Sequence, residues 1–300
     1  MVRKIEIYEV GPRDGFQNLQ DYVPVETKLD LIDRMIDSGV RHLQCTSFVS
    51  PKAIPQMKDA KEVASACAEK YPDVDLFALI PNLRGAEFAR DAGIKSVDMV
   101  ISLSESHNKA NINRTHEQSF EELRKVQETC PELKLTVDIA TAFGCPFEGF
   151  PAVSSLVDFT GKIRDFGIRN FTLGDTIGIA NPVQVRETMQ ALLKAYPDCS
   201  FRPHFHDTRN NGIVNSIAAI ECGITEVETA LGGLGGCPFA PGASGNTATE
   251  DLVWLLEKMG YETGVDFEKV LSAAQYEHSI LTGNFSGHQM NITRRSECCG

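Results

Sequence analysis

The chain has 300 residues with 42% hydrophobic content, an ordinary globular composition with material for a large core. Lys and Arg total 29 against 41 Asp and Glu, a net charge of -12 without a long basic run, which makes nucleic acid a poor partner. No apolar run approaches the ~20 residues of a membrane-spanning helix. The N-terminus turns at once into a strand pattern, with no signal-peptide or transit segment. Nine cysteines are scattered without paired C-x-x-C spacing, which favours reduced thiols over a disulfide framework or a zinc knuckle. The expectation is a cytoplasmic protein with no membrane contact.

In chain order, short apolar strands alternate with amphipathic helices. Residues 4–10 read as strand one. A helix follows over 25–38, with Leu29, Ile32, Met35 and Ile36 on one face and Gly39 just past its end. Strand two covers 40–46, ahead of a helix at 56–70. Strand three lies at 76–80, a helix at 83–92 and strand four at 96–102. A polar loop through 108–113 leads to a helix at 117–129. Strand five, 134–140, is followed by a Gly/Pro loop at 143–151 and a helix at 152–166. Strand six, 170–174, precedes a helix at 182–195, where Pro182 suits the first turn. Strand seven spans 201–206, with a helix at 211–222, and strand eight spans 226–230. A Gly-rich loop from Gly232 to Gly245 then leads to helices at 249–259 and 268–281.

Eight strands, each followed by a helix, predict a parallel (β/α)₈ or TIM barrel with an extra C-terminal helix. Residues 1–282 would form one catalytic domain, and 283–300 a polar, partly mobile tail. A doubly wound open sheet is the competing topology. It usually has fewer strands, and no Gly-x-Gly-x-x-Gly follows strand one.

A barrel carries its active site at the C-terminal ends of its strands. Polar residues gather there: Arg13 and Asp14 after strand one, Gln44 on strand two, Asp138 on strand five and Asp175 after strand six. His204 and His206 end strand seven, and Asn246 closes the Gly-rich loop. Two residues apart on a strand, the histidines share a face. Alone, such a pair is more commonly solvated or hydrogen-bonded at a strand end, as Gly174-Asp175-Thr176 is commonly a helix cap. Together, an Asp, two His and an Asn carbonyl at one mouth suit an octahedral Mg²⁺ or Mn²⁺ site with open water positions. The Gly-rich loop has the freedom to close over that mouth and carries Cys237 at its centre. Beside a cation, that thiol is as well suited to reactivity as to packing.

These residues closely resemble the 3-hydroxy-3-methylglutaryl-CoA lyase family, within a wider group of metal-dependent TIM barrels that includes isopropylmalate and homocitrate synthases. The resemblance runs from Ile5 to about Leu281. It is carried by Glu-Val-Gly-Pro-Arg-Asp-Gly-Phe-Gln-Asn at 9–18, Thr-Ser-Phe-Val-Ser-Pro-Lys at 46–52 and Gly-Cys-Pro-Phe-Glu-Gly at 144–149. His-Phe-His-Asp-Thr at 204–208 and the Gly-Gly-Leu-Gly-Gly-Cys-Pro run at 232–238, continuing through Asn246, complete it. What the resemblance implies is a divalent cation held by Asp14, His204, His206 and Asn246. Arg13 would steady a developing enolate oxygen, Cys237 would take part in proton transfer, and Asp175 would orient groups at the metal. Arg13, Gln17, Lys52, Asn82 and Arg209 are the expected contacts to an acyl-CoA substrate, and a homodimer is the expected assembly.

The chain departs from the family pattern at two points of the mouth. The family usually places a Glu at the end of strand two, where this chain has Gln44, which keeps a hydrogen bond but cannot accept a proton. After His-Asp-Thr the family favours Tyr-Gly or Arg-Gly, where this chain has Arg209-Asn210-Asn211. The resemblance implies retro-Claisen cleavage of a 3-hydroxy-3-substituted acyl-CoA such as 3-hydroxy-3-methylglutaryl-CoA, giving acetyl-CoA and a 3-oxo acid such as acetoacetate. Two other readings remain at this point: condensation of an acyl-CoA with a 2-oxo acid at the same metal site, and an attenuated acyl-CoA-binding homologue, suggested by Gln44.

Overall fold

The computed structural model describes residues 3–236 and 245–292. Eight parallel strands close into a barrel in sequence order: β1 (Glu6–Glu9), β2 (His42–Ser47), β3 (Asp75–Leu79), β4 (Ser96–Ser102), β5 (Lys134–Ala140), β6 (Asn170–Asp175), β7 (Ser200–Phe205) and β8 (Glu226–Thr229). Closure is by β8 on β1, with Ile7 opposite Val227 and Glu9 opposite Thr229. The expected TIM barrel is therefore the observed fold.

The helices pack around it: α1 (Val25–Asp37), α2 (Ala60–Lys70), α3 (Leu83–Asp91), α4 (Glu105–Ile112), α5 (His116–Thr129), α6 (Val153–Arg164), α7 (Pro182–Ala195), α8 (Gly212–Glu221), α9 (Thr249–Lys258) and α10 (Phe267–Ile280). Ile32, Met35 and Ile36 of the expected α1 stripe are buried, while Leu29 is only half-buried and Leu31 is buried with them. Gly39 ends that helix at φ +106, a conformation glycine adopts without strain. No helix among the described residues is long and apolar enough to cross a membrane.

Two expectations are corrected. The polar loop through 108–113 belongs to α4, which Ser104 caps by accepting from the His107 N–H at 3.1 Å. Asn113 ends it in the left-handed conformation. An apolar stripe does not mark this helix; side-chain hydrogen bonds hold it, with buried Asn108 accepting from Ser102 N–H and donating to Ser119 Oγ. The helix expected at 56–70 is two pieces, a turn at Pro55–Met57 and then α2. The remaining element ends agree to within about two residues.

Beyond α10, the chain docks under the barrel mouth. Ser286 Oγ donates to the Asn246 carbonyl at 2.6 Å, Gly287 N–H to Gly232, and Asp251 receives the N–H groups of His288 and Gln289.

Beneath that mouth lie three wholly buried carboxyls. Glu9 accepts from the N–H groups of Gly11 and Leu231 and from Thr249 Oγ1, while Glu250 accepts from Gly232 N–H. Neither carboxyl oxygen of Glu277 has a hydrogen-bond partner among the described residues. Burial pushes Glu9 up to about 7 and Glu250 to about 8, and raises Glu277 through burial and the charges of Glu9 and Glu250. All three lie above the ordinary value of 4.5, so the native state binds protons that the unfolded chain releases. Stability therefore falls as pH rises from about 4.5 through 7 to 8. Glu277→Gln is expected to stabilise the protein at pH 8, because it removes a buried carboxyl that must be held protonated there. Urea unfolding at pH 8 and at pH 5 checks it: the gain should shrink towards the lower pH, and a gain independent of pH would contradict this account.

Candidate active site

The mouth is assembled from three separated segments. The tight turn at Gly11–Gly15 after β1 buries Arg13 and Asp14. The end of β7 supplies His204 and His206. The return from the Gly-rich loop supplies Asn246, which bridges to His206. That return demands glycine at 245, where φ is +102 and a Cβ would stand 2.3 Å from the Gly233 carbonyl oxygen.

One ligand atom from each of Asp14, His204 and His206 lies within 4.8 Å of the others. Asp14 Oδ2 accepts from Asn246 Nδ2 at 2.8 Å and faces His206 Nε2 at 4.0 Å. Its Oδ1 accepts from Arg13 Nη1 at 2.5 Å and from Gln17 Nε2 at 2.8 Å. Burial would raise the Asp14 carboxyl, but Arg13, the two histidines and Asn246 together bring it down to about 2. His204 Nδ1 pairs with Glu228 Oε2 at 2.9 Å, which fixes the ring and leaves Nε2 for a ligand. Burial and the neighbouring His204 lower His206 to about 4, so its imidazole is neutral, the form that ligates metals. Asn246 Oδ1 is buried without a hydrogen-bond partner among the described residues. A carboxylate, two imidazoles and an amide with an orphaned oxygen are a donor set that fits a divalent cation.

Below the mouth the barrel interior is charged, and of its charges the sequence showed only Asp138, not Asp98, Arg202 or Glu228. Arg202, from β7, lies over the Tyr8 ring at 4.0 Å. Its Nε is 3.0 Å from Glu228 Oε1, and its Nη2 is 3.7 Å from Asp98 Oδ1. Asp98, Asp138 and Glu228 form a second group with ligand atoms within 4.8 Å. Arg202 already supplies the positive charge there. Burial and the Glu228 charge push Asp138 up to about 6, and its Oδ1 has no hydrogen-bond partner among the described residues. Burial and Asp138 push Asp98 upward as well, whereas Glu228 resists burial and stays low through Arg202 and His204. The available signal was a charge in the middle of an apolar strand: Val97-Asp98-Met99, Phe201-Arg202-Pro203 and Val227-Glu228-Thr229.

Gln44 is wholly buried between Arg13 and Asp98: its Oε1 accepts from Arg13 Nε, and its Nε2 donates to Asp98 Oδ2 at 2.8 Å. Asp175 accepts from the N–H groups of Ile179 and Ala180 and is raised to about 6 by burial. Arg209 is exposed and donates to the carbonyls of Ile177 and Gly178. Asn82 caps α3 by accepting from Gly85 N–H, and Lys52 is an exposed residue of the turn after β2. Cys237 lies outside the described residues.

The family model described as HMGL-like matches residues 4–276. The hydroxymethylglutaryl-CoA lyase YngG of Bacillus subtilis is 42% identical over 91% of this chain and 92% of its own. The human mitochondrial hydroxymethylglutaryl-CoA lyase is 38% identical over 91% of this chain and 85% of its own. A solved HMG-CoA lyase from Acinetobacter baumannii, in complex with coenzyme A and 3-methylmalate, aligns with a TM-score of 0.93 at 37% identity, covering 99% of this chain and 97% of that one. The carboxyl transferase domain of Rhizobium etli pyruvate carboxylase, at 16% identity and a TM-score of 0.73, shares the fold alone.

The hydrogen bond between Glu228 and His204 generates a prediction. Glu228→Ala is expected to weaken divalent-cation affinity by ~10–100-fold, the usual cost of losing a partner that orients a metal-ligating histidine. Calorimetric titration with Mn²⁺ checks it, and an unchanged affinity in a folded variant would remove Glu228 from the site.

Proposed function

The chain belongs to the HMGL-like family, and from that premise we propose that it is a divalent-metal-dependent acyl-CoA lyase. Its substrate is 3-hydroxy-3-methylglutaryl-CoA or a related 3-hydroxy-3-substituted acyl-CoA, cleaved to acetyl-CoA and a 3-oxo acid, acetoacetate for the first. The observation that carries the reading is the convergence of Asp14, His204, His206 and Asn246 beside Arg13 at one barrel mouth.

Asp14, His204, His206 and Asn246 would hold Mg²⁺ or Mn²⁺, which when bound lowers the pKa of a coordinated hydroxyl. Arg13 is clamped by Asp14 through Nη1 and by Gln44 through Nε, and its Nη2 makes no hydrogen bond among the described residues. That nitrogen is our choice for the thioester enolate oxygen that develops as the carbon–carbon bond breaks. Arginine suits the task because it keeps its charge in a buried site. Cleavage passes the hydroxyl proton to a base at the mouth and consumes one proton at the enolate, giving acetyl-CoA, and we assign that last protonation to Cys237. Asp175, through its charge on His204, helps set the ligand shell. Gln17 keeps its amide oxygen for the substrate, Lys52 is the cation we assign to the CoA phosphates, and Arg209 keeps a terminal nitrogen for the acyl group. Asn82 is already engaged as a cap, so a substrate contact there would compete with Gly85 N–H. The Gly-Gly-Cys-Pro run at 235–238 favours cleavage over condensation with a 2-oxo acid. Family analogy supports a homodimer and a single catalytic domain over residues 1–282. The unpaired Cys45, Cys67, Cys130, Cys145, Cys199 and Cys222 support a cytoplasmic setting.

Purified protein with Mg²⁺ or Mn²⁺ and 3-hydroxy-3-methylglutaryl-CoA should release acetyl-CoA and acetoacetate. No product above blank at high enzyme concentration would sink that substrate. Arg13→Met should lower kcat by ~10²–10³-fold, as loss of one oxyanion donor does elsewhere. Mn²⁺ affinity should stay within about threefold, because Arg13 is not a ligand.

A further inference from the structure

Arg13 is held through a continuous chain of buried polar contacts that returns to the metal-binding histidine. Gln44 Oε1 accepts from Arg13 Nε, and Gln44 Nε2 donates to Asp98 Oδ2 at 2.8 Å. Asp98 Oδ1 faces Arg202 Nη2 at 3.7 Å, Arg202 Nε meets Glu228 Oε1 at 3.0 Å, and Glu228 Oε2 pairs with His204 Nδ1 at 2.9 Å. Thr172 Oγ1 braces the far side by donating to Glu228 Oε1 at 3.1 Å. Gln44 is 0% exposed, Asp98 1% and Arg202 5%, so water does not stand in for a missing partner.

The chemistry of the two ends fixes what position 44 must be. A guanidinium only donates, so the atom facing Arg13 must be an acceptor. Asp98 offers an acceptor oxygen, so the atom facing it must be a donor. The amide of Gln44 supplies both from one planar group. A carboxylate at this position would satisfy Arg13 but present a second acceptor to Asp98. A proton on Asp98 would relieve that clash, yet it would strip Arg202 of one of its counter-charges.

We propose that Gln44 and Asp98 work as an amide–carboxylate couple that positions Arg13, with Arg202 as its internal counter-ion. Gln44 is then the fitted member of a rearranged network, and the site has moved its carboxylate from β2 to Asp98 on β4. This rests on the lyase reading for Arg13 and deepens it.

The test is to invert the couple. Gln44→Glu alone should lower kcat at least tenfold, with KM and Mn²⁺ affinity within about threefold of the parent. Asp98→Asn alone should also lower kcat. The double variant restores the pattern with its polarity reversed. The new carboxylate on β2 accepts from Arg13, and the new amide on β4 donates to that carboxylate while its own oxygen still faces Arg202. This variant should recover kcat to within about fivefold of the parent. Restoration by a reversed pair separates positioning from mere loss of packing, which would accumulate in the double variant. Gln44→Glu that matches or exceeds the parent, or a double variant no better than either single one, overturns the proposal. The same four proteins are carried through urea unfolding. If the parent fails to cleave the thioester, the lyase reading fails by itself. Non-additive stability in the cycle then upholds the couple, and additive stability overturns it.

Discussion

Arg202 stands inside a closed barrel against aromatic rings, where a guanidinium can neither lose its charge nor reach bulk water. Burying that charge costs several kcal/mol unless partners surround it, and the arrangement of the interior follows from supplying them. Glu228 and Asp98 face it from β8 and β4. Each has a second oxygen, and each second oxygen does a task at the mouth: Glu228 fixes the His204 ring, and Asp98 receives the Gln44 amide that clamps Arg13. The orientation of the groups above is thus inherited from one buried cation below. Removing a partner from such a set leaves an uncompensated charge, a cost of about 3–5 kcal/mol.

Barrel closure makes this inheritance possible. His204 is paired with Glu228 because β7 and β8 are neighbours in register, and Asp14 reaches Asn246 because β8 returns to β1. Glu9 reinforces the seam from below by accepting from Leu231 N–H, at the start of the segment that carries the Gly-rich loop. The barrel supplies fixed neighbours, and the loops carry side chains whose placement depends on them.

The sequence made some of this legible and hid the rest for physical reasons. Alternation of apolar strands with amphipathic helices is a local signal, and it located all eight strands. His204 and His206 were visible because a strand places alternate residues on one face. Asp14 and Asn246 were visible as polar residues in Gly-flanked segments at strand ends. The helix at Glu105–Ile112 was hidden because caps and the Asn108 side chain hold it, without an apolar stripe. Arg202, Asp98 and Glu228 were hidden because their meaning is relational: the strands that bear them are far apart in sequence and meet only once the barrel closes. Gln44 looked like a lost carboxylate for the same reason, since its partner Asp98 is on another strand.

On the proposed lyase reading, the mouth would hold two kinds of positive charge close together, the guanidinium of Arg13 and a divalent cation. Asp14 makes that possible by dividing its oxygens. Oδ1 takes Arg13 and Gln17, while Oδ2 faces His206 and Asn246. A carboxylate between two cations screens each from the other, and at about 2 its pKa keeps it ionised wherever the protein works. A neutral residue at position 14 would therefore remove a proposed ligand and also leave Arg13 to repel a cation bound there. The adjacency of Arg13 and Asp14 in the chain is what lets one short turn place the charge and its screen together.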